Sequence, residues 1–424
     1  MKAPDRFRVV IIGAGPTGLA LGNMLSAADV DFVILEKRES VVTDSGACIM
    51  LWPHSVRVLD QLGLLEATTN ASLGLHSKAV LDSLGQLQTE HPTFRWIEEN
   101  HGYPPLHLPR SELVGILHDG LRAHWSKIKT SSLINNITSD EEGVCVGLSD
   151  GTEEKGSLLV GCDGVHSQAR QFVNATTATE LDESTPTSEF ECLYGTASPI
   201  PHLPRGTFWE CHGPGMATQF AVSEKLSAFS LFRQADTTST SHSALNDSDV
   251  ARFMDDHGDR FIAPGFRIKD LQNHCIWAKL ARQWEGSAKH WHGERMVLCG
   301  ESAVQMSSVL GMGFNTALQG AVCLANRLQA SPKPDGGDIN VILTEYRASR
   351  ENETVLARQW SADYIRLITT SSWLKRMVVE YVLPWIWGER AMMKKLGLQS
   401  ISQGEKLSFI AHTDKEGTIP WKSM

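Results

Sequence analysis

Three glycines near the start of the chain have the spacing of a turn that binds a phosphate. Gly13, Gly15 and Gly18 lie in VVIIGAGPTGLALG, residues 9–22, after four apolar residues. In this pattern the first glycine allows a tight turn, the second lets the backbone approach a pyrophosphate, and the third lets helix and strand pack closely. The helix start then offers free N–H groups and the positive end of its dipole to the anion. The spacing therefore predicts a nucleotide site.

An acidic residue follows at the position where such sites bind a ribose. Glu36 ends a second apolar segment, DFVILE, residues 31–36. A carboxylate at this place accepts hydrogen bonds from a ribose 2′-hydroxyl and repels a 2′-phosphate. We therefore expect FAD or NAD at this site rather than NADP, with Lys37 next to Glu36 as a further cofactor-binding candidate.

Three later segments complete a set of motifs: LHLPRSELVGIL (106–117), LLVGCDGVHSQAR (158–170) and GERMVLCGESAVQMSSVLGMGFNTALQGAVCLANRL (293–328). In this order and spacing, the four motifs resemble those of class A flavoprotein monooxygenases, the p-hydroxybenzoate hydroxylase-like family. The resemblance covers nearly the whole chain and implies that the cofactor is FAD. On the family's motif positions, the other cofactor-binding residues are Arg110, Asp163, Gly164, Glu301, Gly311, Gly313 and Asn315.

The last motif departs from the family pattern. Glu301 replaces an aspartate, Val304 a histidine and Ser308 a proline. Glu301 keeps the charge but adds a methylene group, so FAD is expected to bind with a shift or more weakly. Ser308 is expected to loosen the turn and to add a hydroxyl group. Two hypotheses follow: tolerated drift in a working monooxygenase, or a flavoprotein scaffold used for non-oxidative cyclisation or isomerisation, with Glu301 and Ser308 as catalytic residues.

The resemblance also implies a reaction. In the family, NAD(P)H reduces FAD, and one oxygen atom from O2 is transferred to an alkene or an electron-rich ring. GACIMLWPHSVRVLDQLGLLEA (46–67) and KHWHGERMVLCG (289–300) further resemble fungal enzymes that epoxidise prenyl chains in indole-diterpene and meroterpenoid biosynthesis. We therefore expect NADPH as a transient reductant and a small lipophilic secondary metabolite as the substrate. A flavin-binding subunit without turnover of its own is a third hypothesis.

Composition excludes other classes of function. The net charge of −10 argues against nucleic-acid binding. The eight cysteines occur singly and without metal-site spacing, so no metal is expected. No run reaches the roughly 18 apolar residues of a membrane span. The segment WLKRMVVEYVLPWIW, residues 373–387, favours a buried C-terminal helix; the alternative is a helix that touches a membrane through Trp385 and Trp387. We expect a cytoplasmic protein, with that peripheral membrane contact as the alternative.

These motifs need an α/β fold to position them: a Rossmann-type FAD-binding domain with an inserted β-sheet substrate domain and a helical C-terminal segment. Helical periodicity covers residues 55–67, strands dominate 205–280, and the polar stretch 235–249 is typical of a surface loop. The predicted FAD-binding parts are 1–75, 105–178 and 286–365, the substrate parts are 76–104 and 179–285, and the C-terminal segment is 366–424. The aromatic residues expected near a substrate cavity are Trp52, Phe94, Trp96, Trp209 and Phe220.

Overall fold

The computed structural model describes residues 6–43, 47–177, 186–240, 245–331, 336–378 and 388–422. Within them the strands are β1 Arg8–Ile12, β2 Asp31–Leu35, β3 Cys48–Leu51, β4 Ser77–Leu81, β5 Leu87–His91, β6 Leu106–Pro109, β7 Ile128–Lys129, β8 Ile134–Ser139, β9 Val144–Leu148, β10 Glu153–Gly156, β11 Leu158–Gly161, β12 Thr187–Ala197, β13 Thr207–Gly213, β14 Met216–Val222, β15 Ser227–Ser239, β16 Phe261–Ala263, β17 Phe266–Arg267, β18 Cys275–Ser287, β19 Met296–Leu298 and β20 Val304–Gln305. The α-helices are α1 Pro16–Ala27, α2 Pro53–Gln61, α3 Leu65–Ala71, α4 Thr93–His101, α5 Arg110–Gly120, α6 Gln168–Thr177, α7 Asp247–Asp256, α8 Ile268–Leu271, α9 Met312–Ala330, α10 Gly336–Ile368, α11 Trp373–Met377 and α12 Glu389–Gln399.

A five-stranded parallel sheet forms the centre of the first half of the fold. Its strand order is β19-β11-β1-β2-β7, and β11 and β19 are buried over their whole length. Continuous apolar strands of this kind are typical of a parallel sheet covered on both faces. The predicted β-α-β unit is confirmed as β1, α1 and β2. The motif residues follow the carboxyl ends of these strands, where α/β sheets bind ligands.

The glycine turn after β1 is set by two close approaches. Gly13 has φ +99°, a backbone conformation that residues with a side chain rarely adopt. A Cβ atom added at Gly18 would lie only 2.0 Å from the Gly13 carbonyl oxygen, so α1 can pack on the turn only with glycine there. Pro16 occupies the first turn of α1, where its missing N–H costs nothing.

An eight-stranded sheet forms the second half, in the order β20-β18-β12-β15-β14-β13-β4-β5. The chain enters this sheet twice, first with β4 and β5 and later with β12 to β15 and β18. One row of register partners crosses five of its strands: Glu210 on β13, Gln219 on β14, Ser230 on β15, Tyr194 on β12 and Lys279 on β18. Partners in a row share one face of the sheet.

The structure differs from the sequence prediction at two places. The polar stretch 235–249 is not one loop, because β15 continues to Ser239 and α7 begins at Asp247. The Asn246 side chain caps that helix by accepting from the N–H groups of Ser248 and Asp249. The helix predicted over 55–67 is interrupted after Gln61, and α3 begins at Leu65.

Among the residues described from 366 onwards, helix is confined to the end of α10, to α11, to α12 and to a short 3-10 turn, Ile401–Gln403. From 404 to 422 the chain runs without regular structure over α2. The Arg57 guanidinium on α2 donates to both carboxylate oxygens of Asp414, at 2.7 and 2.6 Å. The Gln61 side chain pairs with the backbone of Leu407.

The segment 373–387 is a further correction. Of its residues, 373–375, 377 and 378 are exposed rather than buried, and Trp373 is 71% exposed. Pro384, Trp385 and Trp387 lie outside the described residues. Of the helices that the structure describes, none has the length and apolar character that a membrane span requires.

Candidate functional site

A large cavity lies between the two sheets. Its volume is about 1140 Å³, and the glycine turn lines one side while the polar row of the eight-stranded sheet lines the other. Pockets for one small ligand typically occupy about 300–1,000 Å³. The cavity is therefore larger than the usual site for one small ligand.

The glycine turn presents open space to this cavity. A Cβ atom added at Gly15 would meet only the Arg110 guanidinium, at 3.6 Å, in contrast to the blocked space at Gly18. Gly15 is also the residue that precedes the first turn of α1, and no side chain caps the N–H groups there. A backbone cradle at an uncapped helix N-terminus fits a pyrophosphate, as in FAD.

Glu36 is held beside this cradle. Its carboxylate accepts from the backbone N–H of Ala14 at 2.8 Å and from that of Arg38 at 3.0 Å, which fixes the side chain at the cavity wall. Lys37 lines the cavity next to it. Each carboxylate oxygen has more than one lone pair, so Glu36 can still accept a hydrogen bond from a ribose hydroxyl.

Glu301 projects into the cavity between two glycines of different motifs. Cβ atoms added at Gly164 and Gly313 would lie 3.8 and 3.9 Å from its two carboxylate oxygens. Its surface faces the cavity, so the side chain is accessible although protein surrounds it. The protein around Glu301 partly removes its carboxyl from water, which raises the pKa of that group, and the charge of Arg110 opposes the rise. Burial likewise lowers the pKa of the Arg110 guanidinium, against the charge of Glu301.

Asp163 lines the cavity and also holds the start of α6. Its carboxylate accepts from the Ser167 hydroxyl at 2.5 Å and from the N–H groups of Gln168 and Ala169 at 2.7 and 3.1 Å. The Arg170 side chain donates to the carbonyl of Ser302 at 3.1 Å. These bonds tie the Asp-Gly segment to the last motif and fix the position of Gly164.

Two predicted cofactor residues do not line the cavity. Gly18 lies under the turn, as described above. The Asn315 side chain, which is fully buried, donates to the carbonyls of Met50 and Gly311 at 2.7 and 2.6 Å and accepts from the N–H of Trp52 at 2.8 Å. The structure therefore gives Asn315 a positioning role between α9 and the end of β3. The other predicted cofactor residues line the cavity, namely Gly13, Gly15, Glu36, Lys37, Arg110, Asp163, Gly164, Glu301, Gly311 and Gly313.

Ser308 is part of a closed hydrogen-bond ring at the cavity wall. Its backbone N–H and its hydroxyl both donate to Gln283 Oε1, at 3.0 and 2.9 Å. The Gln283 amide donates to the Tyr194 hydroxyl, which lies 3.3 Å from Ser308 Oγ. The turn is therefore fixed rather than loosened by Ser308. Val304, in contrast, is buried in β20 and does not line the cavity.

The eight-stranded sheet contributes a second group that sequence reasoning missed. Lys78, Glu210 and Tyr364 all line the cavity and contact one another. No local motif marks them, because they come from β4, β13 and α10. The apolar part of the wall includes Trp52 and Phe94, as predicted, whereas Trp96, Trp209 and Phe220 do not line the cavity. Among the residues that the structure describes, no group of His, Cys, Asp and Glu is arranged to hold a metal ion.

Comparison with known proteins gives consistent matches. The model of the FAD binding domain family matches residues 6–359. The FAD-dependent monooxygenase srdH of Neurospora crassa is 30% identical, with coverage of 98% of both chains. The FAD-dependent monooxygenase ausM of Penicillium brasilianum is 27% identical, over 98% of this chain and 90% of its own.

Solved structures agree with this architecture. Klebsiella pneumoniae HpxO, complexed with FAD and uric acid, is similar with a TM-score of 0.77 and 19% identity, over 92% of this chain and 95% of its own. The p-nitrophenol 4-monooxygenase PnpA of Pseudomonas putida is similar with a TM-score of 0.74 and 18% identity, over 94% and 95%. At these identities the two structures support the fold.

Proposed function

Since the chain belongs to the class A FAD-dependent monooxygenases, we propose that it uses NAD(P)H as reductant and oxygenates a small lipophilic secondary metabolite. The reaction is an epoxidation or hydroxylation, and a prenylated or terpenoid intermediate is the expected kind of substrate.

One observation supports the proposed substrate class. The cavity extends from the glycine turn, which forms the phosphate-binding cradle, to a region with apolar side chains in its walls, called the chamber below. Beyond the flavin motifs, the apolar parts of the walls are formed by side chains from the residue before α2 and from α4, β13, α10 and α12, namely Trp52, Phe94, Ile97, Phe208, Trp360, Leu367, Met392, Met393 and Leu396. Burial of apolar surface contributes about 25 cal/mol per Å². A chamber of this composition favours a lipophilic molecule over a sugar or a nucleotide.

The residues of this chain bind and orient the reactants, because the cofactor carries the oxygen chemistry. FAD, when bound, supplies the transfer of electrons from NAD(P)H and the activation of O2. Gly15 leaves room for its pyrophosphate, Glu36 is placed for a ribose, and Arg110 and Glu301 line the cavity and interact electrostatically. The apolar chamber excludes water from the reacting atoms.

The non-oxidative cyclase or isomerase is not favoured, because the matched relatives are monooxygenases and Ser308 is held in a structural hydrogen-bond ring. The decisive experiment compares product masses. Purified protein should be yellow, should oxidise NADPH faster with substrate present, and should add one oxygen atom to a prenylated aromatic substrate. Conversion under anaerobic conditions without a change of mass would contradict the proposal and support acid–base chemistry. If the proposed oxygenation is correct, turnover should persist in the Glu301→Gln variant, since no proton transfer from that carboxyl is needed.

We further propose that α11 makes peripheral contact with a membrane. Trp373, Leu374 and Met377 are 71%, 57% and 48% exposed, and apolar side chains of this kind insert at a lipid interface. Co-sedimentation with vesicles of phosphatidylcholine and phosphatidylserine should fall several-fold in the double variant Trp373→Ser, Leu374→Ser. Leu84→Ser, which alters an equally exposed leucine on the β4–β5 turn, is the matched control and should bind like the wild type. Equal binding by the double variant would contradict the contact.

A further inference from the structure

A charged cluster lies in the chamber wall beside its apolar side chains. The Lys78 ammonium lies 2.7 Å from Glu210 Oε2, and the Tyr364 hydroxyl donates to the same oxygen at 2.6 Å. The Glu210 side chain is only 1% exposed, whereas that of Lys78 is 23% exposed and faces the cavity. Burying charges is costly, so a buried pair that no fold-forming motif requires indicates a functional role.

Glu210 is fully engaged and cannot serve the substrate directly. Its Oε2 atom accepts from Lys78 and Tyr364 and lies 3.3 Å from His212 Nε2, and its Oε1 atom accepts from the Gln219 amide at 2.9 Å. The same Gln219 nitrogen also donates to the Val309 carbonyl at 2.9 Å, which connects the cluster to the last flavin motif. Although burial by itself raises it, the charge of Lys78 holds the pKa of Glu210 well below its ordinary range. Glu210 is thus a fixed anion.

Lys78 is the member of the cluster that has an N–H group available to donate a further hydrogen bond. An ammonium group has three N–H donors. In the part of the chain that the structure describes, two are used, toward Glu210 and toward the Tyr364 hydroxyl oxygen at 3.3 Å. A wholly apolar molecule in the chamber would displace water from the third donor and leave it unpaired, which is unfavourable. A hydrogen-bond acceptor on the ligand removes that cost.

The surrounding charges determine which acceptor fits. Lys78 is neutralised by Glu210, and the negative charge of Glu389 acts on it as well. Glu389 is held at the chamber wall by the Thr93 hydroxyl, at 2.7 Å. A carboxylate ligand would be repelled by these two glutamates, while a carbonyl or hydroxyl oxygen would not.

Resting on the proposed function, we propose that Lys78 recognises a neutral oxygen acceptor, a carbonyl or hydroxyl oxygen, on the lipophilic substrate. Glu210 and Tyr364 are positioning residues that hold the ammonium in place. The expected substrate is therefore not a pure hydrocarbon. It is an apolar chain or ring system that carries an oxygen atom at the end nearest the eight-stranded sheet.

The test measures binding rather than turnover. The probes are farnesylacetone, a lipophilic ketone, and the hydrocarbon in which a methylene group replaces its carbonyl oxygen. Their dissociation constants are measured on the FAD-loaded protein from tryptophan fluorescence, since Trp52, Trp277 and Trp360 line the cavity. The wild type should bind the ketone about tenfold more tightly than the hydrocarbon, as expected for a hydrogen bond to a charged group. Lys78→Met should remove this preference.

Two further variants separate recognition from folding. Lys225→Met makes the same exchange on the β14–β15 turn outside the cavity and should keep the preference for the ketone. Because Lys78→Met leaves Glu210 buried without its cation, the double variant Lys78→Met, Glu210→Gln removes both charges and should also lose the preference. An unchanged ketone preference in either Lys78 variant contradicts the inference, as does a wild type that binds both probes equally or neither. Oxygenation measured on the same samples tests the proposed function separately.

Discussion

Gly15 is the residue at which an added side chain most directly opposes cofactor binding. Gly15→Val places a branched side chain in the open space of the cradle, where the nearest protein atom to a Cβ is the Arg110 guanidinium at 3.6 Å. We expect the purified variant to lose its FAD and to remain folded, because no protein atom blocks the new group. The ratio of flavin to protein absorbance, with circular dichroism, measures both. Gly115→Val is the control and should keep its flavin, because among the described residues no atom outside its own helix backbone lies within 4 Å of a Cβ added at Gly115. Wild-type flavin content in Gly15→Val would show that the turn is not the binding site.

Glu301 should make stability depend on pH in a direction opposite to that of most carboxyl groups. Burial raises its pKa in the folded protein above the value of about 4.3 in the unfolded chain. The folded state then binds the proton more tightly, so the stabilisation is complete below the unfolded pKa and is lost as pH rises through the folded pKa.

Urea unfolding of the flavin-free protein tests this prediction. The free energy of unfolding of Glu301→Gln, relative to that of the wild type, should increase as the pH is raised from about 4 towards 7, because the glutamine carries no charge to bury. If the difference in free energy of unfolding between the two proteins does not change with pH, the charge of Glu301 does not destabilise the folded protein.

Among the elements, the 3-10 turn Ser308–Leu310 connects the flavin motif to the eight-stranded sheet. The family's proline at this position suggests that Ser308→Pro would restore function, but the structure predicts the reverse. Proline removes the N–H and the hydroxyl that both donate to Gln283, and it leaves the Gln283 oxygen unsatisfied at a cost of about 1–3 kcal/mol.

A double-mutant cycle resolves the contribution of this contact. Ser308→Pro should lower the free energy of unfolding, while Gln283→Leu combined with Ser308→Pro should recover part of the loss, because the unsatisfied oxygen is then absent. Additive effects of the two substitutions would mean that the Ser308–Gln283 bonds do not stabilise the turn.

For the whole molecule, the chain from 404 to 422 fastens the C-terminal part onto α2. Arg57 is nearly buried and holds Asp414 by two hydrogen bonds, and Lys406 adds a third at 2.9 Å. Although burial by itself raises it, these partners hold the pKa of Asp414 below its ordinary value. The resulting stabilisation is present above the unfolded pKa of about 3.9 and is lost as pH falls through the folded pKa.

Asp414→Asn should therefore lower the free energy of unfolding by up to about 3 kcal/mol near neutral pH, since a buried arginine loses its anion. The difference from the wild type should shrink as the pH approaches 3. Asp259→Asn, which disrupts exposed pairs with Arg267 and Lys269, is the matched control and should have a smaller effect. Equal effects of the two substitutions would mean that the contacts of Asp414 with Arg57 and Lys406 add no more stability than an exposed ion pair.

The cofactor half of the molecule was largely predictable from the sequence. The β-α-β unit and the predominance of strands in 205–280 were confirmed, because each is encoded by short-range patterns of apolar residues and glycines. Gly13, Gly15 and Glu36 lie within one turn and two neighbouring strands, so their spacing along the chain already fixes their spacing in the cavity.

Contacts between distant segments of the chain depended on tertiary structure. Lys78 and Tyr364 are 286 positions apart, and Arg57 and Asp414 are 357 apart. Their contacts arise from sheet register and from the packing of α10 and the C-terminal chain, neither of which leaves a local pattern. The same holds for Asn315, whose place in the motif indicated a cofactor contact, whereas in the fold its side chain bonds the backbone of Met50 and Trp52. Local sequence thus determined the glycine turn at the cavity, and only long-range packing decided which polar groups line the rest of the cavity, because those groups come from distant segments of the chain.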